Sequence, residues 1–136
     1  MVKVIMGPKG TGKTKRMIEL VNEAAKSEAG NVICIERGPK LTYDIDYSVR
    51  LVEAGHYDLS DFHFLKGFLS GLYAGNFDIS HVFIDSLYKI VPFTNDNEAD
   101  EFFGWLDNFS NENNIRFTIM ITGDAATASE GVKKFF

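Results

Sequence analysis

The sequence predicts an α/β protein built on a mostly parallel sheet of about five strands flanked by helices, and three observations carry that expectation. Apolar runs alternate with amphipathic stretches along the chain, as strands and helices do when they take turns. The first run, Val2 to Met6, is almost wholly apolar, as a strand buried on both faces must be. It passes into the first amphipathic stretch through a glycine-rich segment, Gly7 to Thr14.

The elements follow in order. From Gly12 the period changes, and Met17, Leu20, Val21, Ala24 and Ala25 fall on one face of a helix that ends before Gly30-Asn31. Val32 to Glu36 reads as the second strand. Arg37 to Ser48, with Gly38-Pro39, reads as a loop, and Val49 to Glu53 as a third strand. Ser60 is the expected N-cap of a helix whose apolar positions are Phe62, Leu65, Phe68, Leu69 and Leu72, closed near Gly75-Asn76. His81 to Asp85 is a further buried strand. Beyond a loop around Pro92, a helix from about Asn97 to Asn111 sets Phe102, Leu106 and Phe109 at helical spacing. Ile115 to Thr122 is a strongly β-branched last strand, and Ala128 to Phe136 closes the chain as a short helix. No repeat or linker interrupts this order, so residues 1–136 are expected to form a single domain.

Composition narrows the function classes. The 136 residues are 45% hydrophobic, enough for an ordered core, and the net charge is -5. An acidic surface disfavours non-specific attraction to nucleic-acid phosphates or anionic lipid. Cys34 is the only cysteine, which leaves no intramolecular disulfide and no cysteine cluster for zinc. The apolar amino terminus is too short for a secretory leader or a membrane span, and a cytoplasmic location is expected.

Gly7-Pro8-Lys9-Gly10-Thr11-Gly12-Lys13-Thr14 matches the phosphate-binding pattern G-x-x-x-x-G-K-[ST] in full. The glycines let the backbone curl until several N–H groups point into one concavity, and the following helix adds its positive end. Lys13 is expected to reach the β- and γ-phosphates, and the Thr14 hydroxyl to hold Mg²⁺. A chance match arises in roughly one chain of this length in several hundred, and here the motif also lies between a buried strand and an amphipathic helix, where its mechanism requires it. The expected cofactors are therefore ATP, or another NTP, and Mg²⁺.

His81-Val82-Phe83-Ile84-Asp85 ends an apolar strand in a carboxylate and resembles the Walker B element of P-loop NTPases, in which such an Asp supports Mg²⁺. Together with the phosphate loop, the order of elements resembles the RecA-like, additional-strand division of that superfamily, and short bacterial P-loop proteins within it. The resemblance covers most of the chain and implies a three-layer P-loop NTPase fold. It also implies that the strand from Ile115 to Thr122 lies between the other two, which brings Thr122 near the γ-phosphate as a sensor residue. Lys13, Asp85 and Thr122 are then the expected catalytic set, and Thr14 and Asp85 the metal ligands.

The departures matter for activity. Many such ATPases place a Glu after the Walker B Asp to orient water, and this chain has Ser86. Asp124, or the acidic run Asp96, Glu98 and Asp100, are the available substitutes. No D-x-x-G or N-K-x-D supports guanine. Arg37 and Arg116 read as surface residues, or as fingers on a neighbouring subunit. The Tyr43, Asp44, Asp46, Tyr47 cluster reads as a groove or as a loop with buried rings. The three histidines lack metal-ligand spacing. Three functions remain: a slow Mg-dependent NTPase or switch, a non-hydrolysing nucleotide-binding module that acts on a protein partner, and a small-molecule kinase, the last disfavoured because no two arginines lie close in sequence. Self-association stays open.

Overall fold

A computed structural model describes all residues, Met1–Phe136. Five strands form one sheet: β1 (Val2–Gly7), β2 (Asn31–Glu36), β3 (Arg50–Glu53), β4 (Ile79–Ile84) and β5 (Arg116–Thr122). Their order across the sheet is β1-β5-β4-β2-β3, and every neighbouring pair is parallel. The last strand thus inserts between β1 and β4, the placement that the family resemblance implied. All strand ends of one sense therefore share one edge, where ligands of open α/β sheets gather.

Helices cover both faces. On one face α1 (Lys13–Ser27) lays Met17, Val21 and Ala24 against Val32, Cys34, Phe83 and Met120. The segment after β2 joins this cluster through Leu41, Ile45 and Val49. On the other face α2 (Phe62–Gly75), α3 (Leu87–Ile90), α4 (Asp96–Asn113) and α5 (Glu130–Lys133) bury Leu65, Leu69, Leu87, Phe102, Phe103, Leu106 and Val132 over Val4, Ile84, Ile119 and Ile121. The alternation of β5 explains the split: Phe117, Ile119 and Ile121 face the larger cluster while Met120 faces the smaller. The architecture is a three-layer α/β fold with a five-stranded all-parallel sheet.

Several boundaries differ from the sequence reading. The N-cap of α2 is Asp61, whose Oδ1 accepts from the Phe64 N–H at 2.8 Å; Ser60 instead bonds Asp58. Asn95 caps α4 in the same way through the Glu98 N–H. The closing helix spans only Glu130–Lys133. After it Phe135 packs on the core and its carbonyl accepts from the Val4 N–H at 2.8 Å, so the tail is docked on edge strand β1. The four-residue helix α3 has no counterpart in the sequence reading, because one turn is too short to display a period.

Candidate functional site

The segment between β1 and α1 turns on two left-handed glycines, Gly10 at φ 84° and Gly12 at φ 82°. A Cβ at either would meet nothing within 4 Å, so the backbone angle rather than space demands glycine there. Gly12 leads into α1 without a side-chain cap, and the first turn of that helix carries no acidic residue. Its free N–H groups and positive end are therefore left for another acceptor. Pro8 holds the loop's shape: its carbonyl accepts from the Thr11 hydroxyl at 2.8 Å and from Lys13 Nζ at 2.7 Å.

Gly7 pairs with Thr122 across β1 and β5, and the Gly123 N–H donates to the Gly7 carbonyl at 3.0 Å. The end of β5 is thereby fixed against the root of the loop. Asp85 follows β4 directly, with its N–H donating to the Ile35 carbonyl at 2.9 Å. These constraints bring Lys9, Gly10, Gly12, Lys13, Thr14, Asp85 and Thr122 around one cavity of about 280 Å³ that no apolar side chain lines. Gly7, Pro8 and Thr11 shape the loop without lining that cavity.

Lys15, Ser86 and Lys89 complete the wall. Lys89 escaped the sequence reading, although its spacing of four from Asp85 was the available signal. Ser86 adopts a left-handed conformation, φ 51° and ψ 63°, which is strained for a residue with a Cβ. That turn starts α3 and carries Lys89 back over Asp85. Four lysines and a single carboxylate thus face the cavity. Asp85 is 9% exposed. Burial pushes its pKa up, against the pull of Lys89, the bonds with Ser86 and the charge of Lys13.

The donor set suits Mg²⁺. Thr14 offers a hydroxyl and Asp85 a carboxylate on the same cavity, both hard oxygens. A Mg²⁺ ion that keeps several waters and takes its remaining ligands from phosphate needs no larger protein set.

None of the substitutes for a water-orienting Glu reaches this cavity. Asp124 and Asp96 line a different one. Glu98 follows the Asn95 cap and accepts from the Thr94 hydroxyl. Asp100 accepts from the Ser129 hydroxyl. Glu36 ends β2 beside Asp85, but its oxygens take the Lys40 and Leu41 N–H groups at 3.1 and 3.0 Å. It clasps the loop after β2, and burial raises its pKa in spite of those bonds.

The two arginines are engaged elsewhere. Arg37 donates to the Lys89 carbonyl at 3.0 Å. Arg116 lies at the start of β5, the opposite edge from Thr122, and pairs with Glu28 at 2.8 Å. The same Glu28 takes His81 Nδ1 at 2.7 Å and the Ser80 hydroxyl at 2.9 Å, while His81 Nε2 meets the Thr118 hydroxyl at 2.8 Å. His81 is thus a core residue with both ring nitrogens satisfied. Tyr43 and Tyr47 stand 98% and 100% exposed, so the expectation of buried rings there is corrected. Cys34 is buried, and burial together with Asp85 and Glu36 pushes its thiol up to about 12, which leaves it unreactive.

No helix is long and apolar enough to cross a membrane. No known protein-family model matches the chain, and no curated protein matches it significantly.

Proposed function

We propose that the chain is an ATP- or other NTP-binding P-loop protein that acts as a slow, Mg-dependent NTPase or nucleotide-dependent switch. One observation carries the reading. A cavity lined by four lysines and no apolar side chain lies at a loop with two left-handed glycines and at the uncapped start of α1, whose first N–H groups have no intrahelical partner. Triphosphate is the ligand such a set suits: N–H groups cradle the phosphates, Lys13 meets the β- and γ-oxygens, and Lys89 and Lys9 add charge. Lys13 leaves the Pro8 carbonyl for phosphate, a stronger charge-assisted partner.

Thr14 and Asp85 would hold Mg²⁺, which supplies charge neutralisation on the phosphate oxygens. Thr122, at the end of β5, is the residue suited to sense the γ-phosphate. A cytoplasmic location, with nucleotide and Mg²⁺ both supplied, belongs to the same proposal.

Slow turnover follows from what the cavity contains. Its one carboxylate is the metal-holding Asp85, and Ser86 has only a hydroxyl, so no general base is left to orient water. Incomplete sites of this kind turn over at roughly 10⁻⁴ to 10⁻³ per second, and a trans-supplied arginine raises that by about 10³ to 10⁵. The expected result for dilute protein is phosphate release below about 10⁻² per second, rising with protein concentration or with a partner. A concentration-independent rate near 1 per second would contradict the account of Ser86. The same lack of a base keeps a non-hydrolysing regulatory module as the second reading, distinguished by nucleotide binding with no phosphate release at any concentration.

A further inference from the structure

A more spacious cavity lies next to the lysine-lined one. About 640 Å³ open between the end of β5, the approach to α5 and the Pro92 loop ahead of α4, within the size range of small-molecule sites. It shares only Thr122 with the phosphate cavity, yet its chemistry is opposite. Met6 and Val132 supply apolar surface, and Tyr88 and Phe93 meet edge-on with ring centroids 5.2 Å apart. Asp96 and Asp124 bring two carboxylates to the lining, which includes no lysine or arginine. Neither carboxylate takes part in a salt bridge. Asp124 has one oxygen on the Ala126 N–H at 2.9 Å, which leaves the other free.

We propose that this cavity binds a small organic cation, a primary amine on an apolar or aromatic body, as a second ligand beside the nucleotide. Aromatic faces and unpaired carboxylates attract an ammonium group jointly, the rings through their quadrupoles and the carboxylates through charge. Met6, Val132 and the same rings accept the body. The local field agrees in sign: burial, then the charges of Asp96 and Asp100, push the Tyr88 hydroxyl up to about 12. An anion is repelled here and drawn instead to the lysines on the other side of Thr122. The site does not depend on the nucleotide reading, because none of its attracting groups belongs to the phosphate loop.

The test titrates the full chain with tyramine and with tyrosol, a body of the same shape that ends in hydroxyl instead of ammonium. Calorimetry gives the affinities and amide NMR the location. Tyramine is expected to bind at least about five-fold more tightly, with shifts centred on Asn95, Asp96 and Asp124. The double variant Asp96→Asn, Asp124→Asn should abolish that preference, and Phe93→Ala should weaken both probes. Far-UV circular dichroism checks that each variant is folded. The preference should survive Lys13→Ala, which separates this proposal from the fate of the nucleotide reading. Equal affinity for the two probes, absence of tyramine binding, shifts remote from the cavity, or displacement of tyramine by Mg·ATP would each overturn it.

Discussion

At the starts of β4 and β5, Glu28 accepts from Ser80, His81 and Arg116, and Thr118 closes the other side of the imidazole. At the opposite edge of the same sheet, Lys9, Lys13, Lys15 and Lys89 form no salt bridge and surround Asp85 alone. Both regions concentrate charge. In the first, each charge meets a partner from the protein itself, so the region serves the fold. In the second, no lysine forms a salt bridge and Lys13 donates only to the Pro8 carbonyl of its own loop, so the positive charge stays available to an anion, as the proposed function requires. Partnering, rather than charge density, separates a structural cluster from a site.

The largest expected contrast comes from removing the hub of the first region. Glu28→Ala strips His81, Ser80 and Arg116 of their shared acceptor and should lower unfolding stability by about 2–3 kcal/mol, with nucleotide affinity unchanged. Denaturant unfolding and calorimetry on the same variant check both halves. A loss of affinity would mean the two edges are coupled.

Protons sharpen the contrast further, because the two regions respond with opposite sign. Burial holds His81 below the usual histidine range, although Glu28 pulls it up. In Glu28, burial pushes up, but the bonds and charges of His81, Ser80 and Arg116 outweigh it and the pKa falls. For both groups the unfolded chain binds protons first as pH falls, so their stabilisation is complete above the unfolded pKa and lost below it. Asp85 and Glu36 are raised by burial; the folded chain protonates first there, and acidification favours the fold in a window just above the ordinary carboxylate range. From pH 7.5 down to 5.5 the histidine contribution acts first. Stability should fall, by at most about 1.4 kcal/mol per pH unit for one proton, and His81→Gln should flatten that slope. An unchanged slope would remove His81 from the account.

The smallest effect on stability belongs to the ligand side. Asp85→Asn removes a buried charge from the free protein and should leave stability unchanged or raise it by up to about 1 kcal/mol. It should nevertheless weaken the Mg²⁺ dependence of ATP binding, read by titration with and without chelator. If the Mg²⁺ titration is unchanged, Asp85 is a turn residue only.

Much of this was legible in the residues. The strands and most helices followed from short-range pattern, because buried parallel strands and amphipathic helices announce themselves locally, whereas the inserted position of β5 was implied only by the family resemblance. Lys89 did not follow, since its position depends on the left-handed turn at Ser86 and on a helix of one turn. The Glu28–His81 contact spans 53 residues and has no local signature. The caps illustrate a finer limit: Ser60 and Asp61 are both good caps by residue type, and only the Phe64 N–H chooses between them. The acidic cavity beside Thr122 was invisible for the same reason as Lys89, being assembled from β1, α3, α4 and the segment after β5.

The central claim is that the lysine-lined cavity binds nucleotide phosphate, and calorimetric titration of Mg·ATP into the native chain and Lys13→Ala tests it most directly. The native chain should bind stoichiometrically, one nucleotide per chain. Lys13→Ala should show no binding, with circular dichroism unchanged and the fold retained, because the one hydrogen bond of Lys13 Nζ goes to its own loop, at the Pro8 carbonyl. No heat of binding for the native chain, or equal affinity in the variant, would contradict the account.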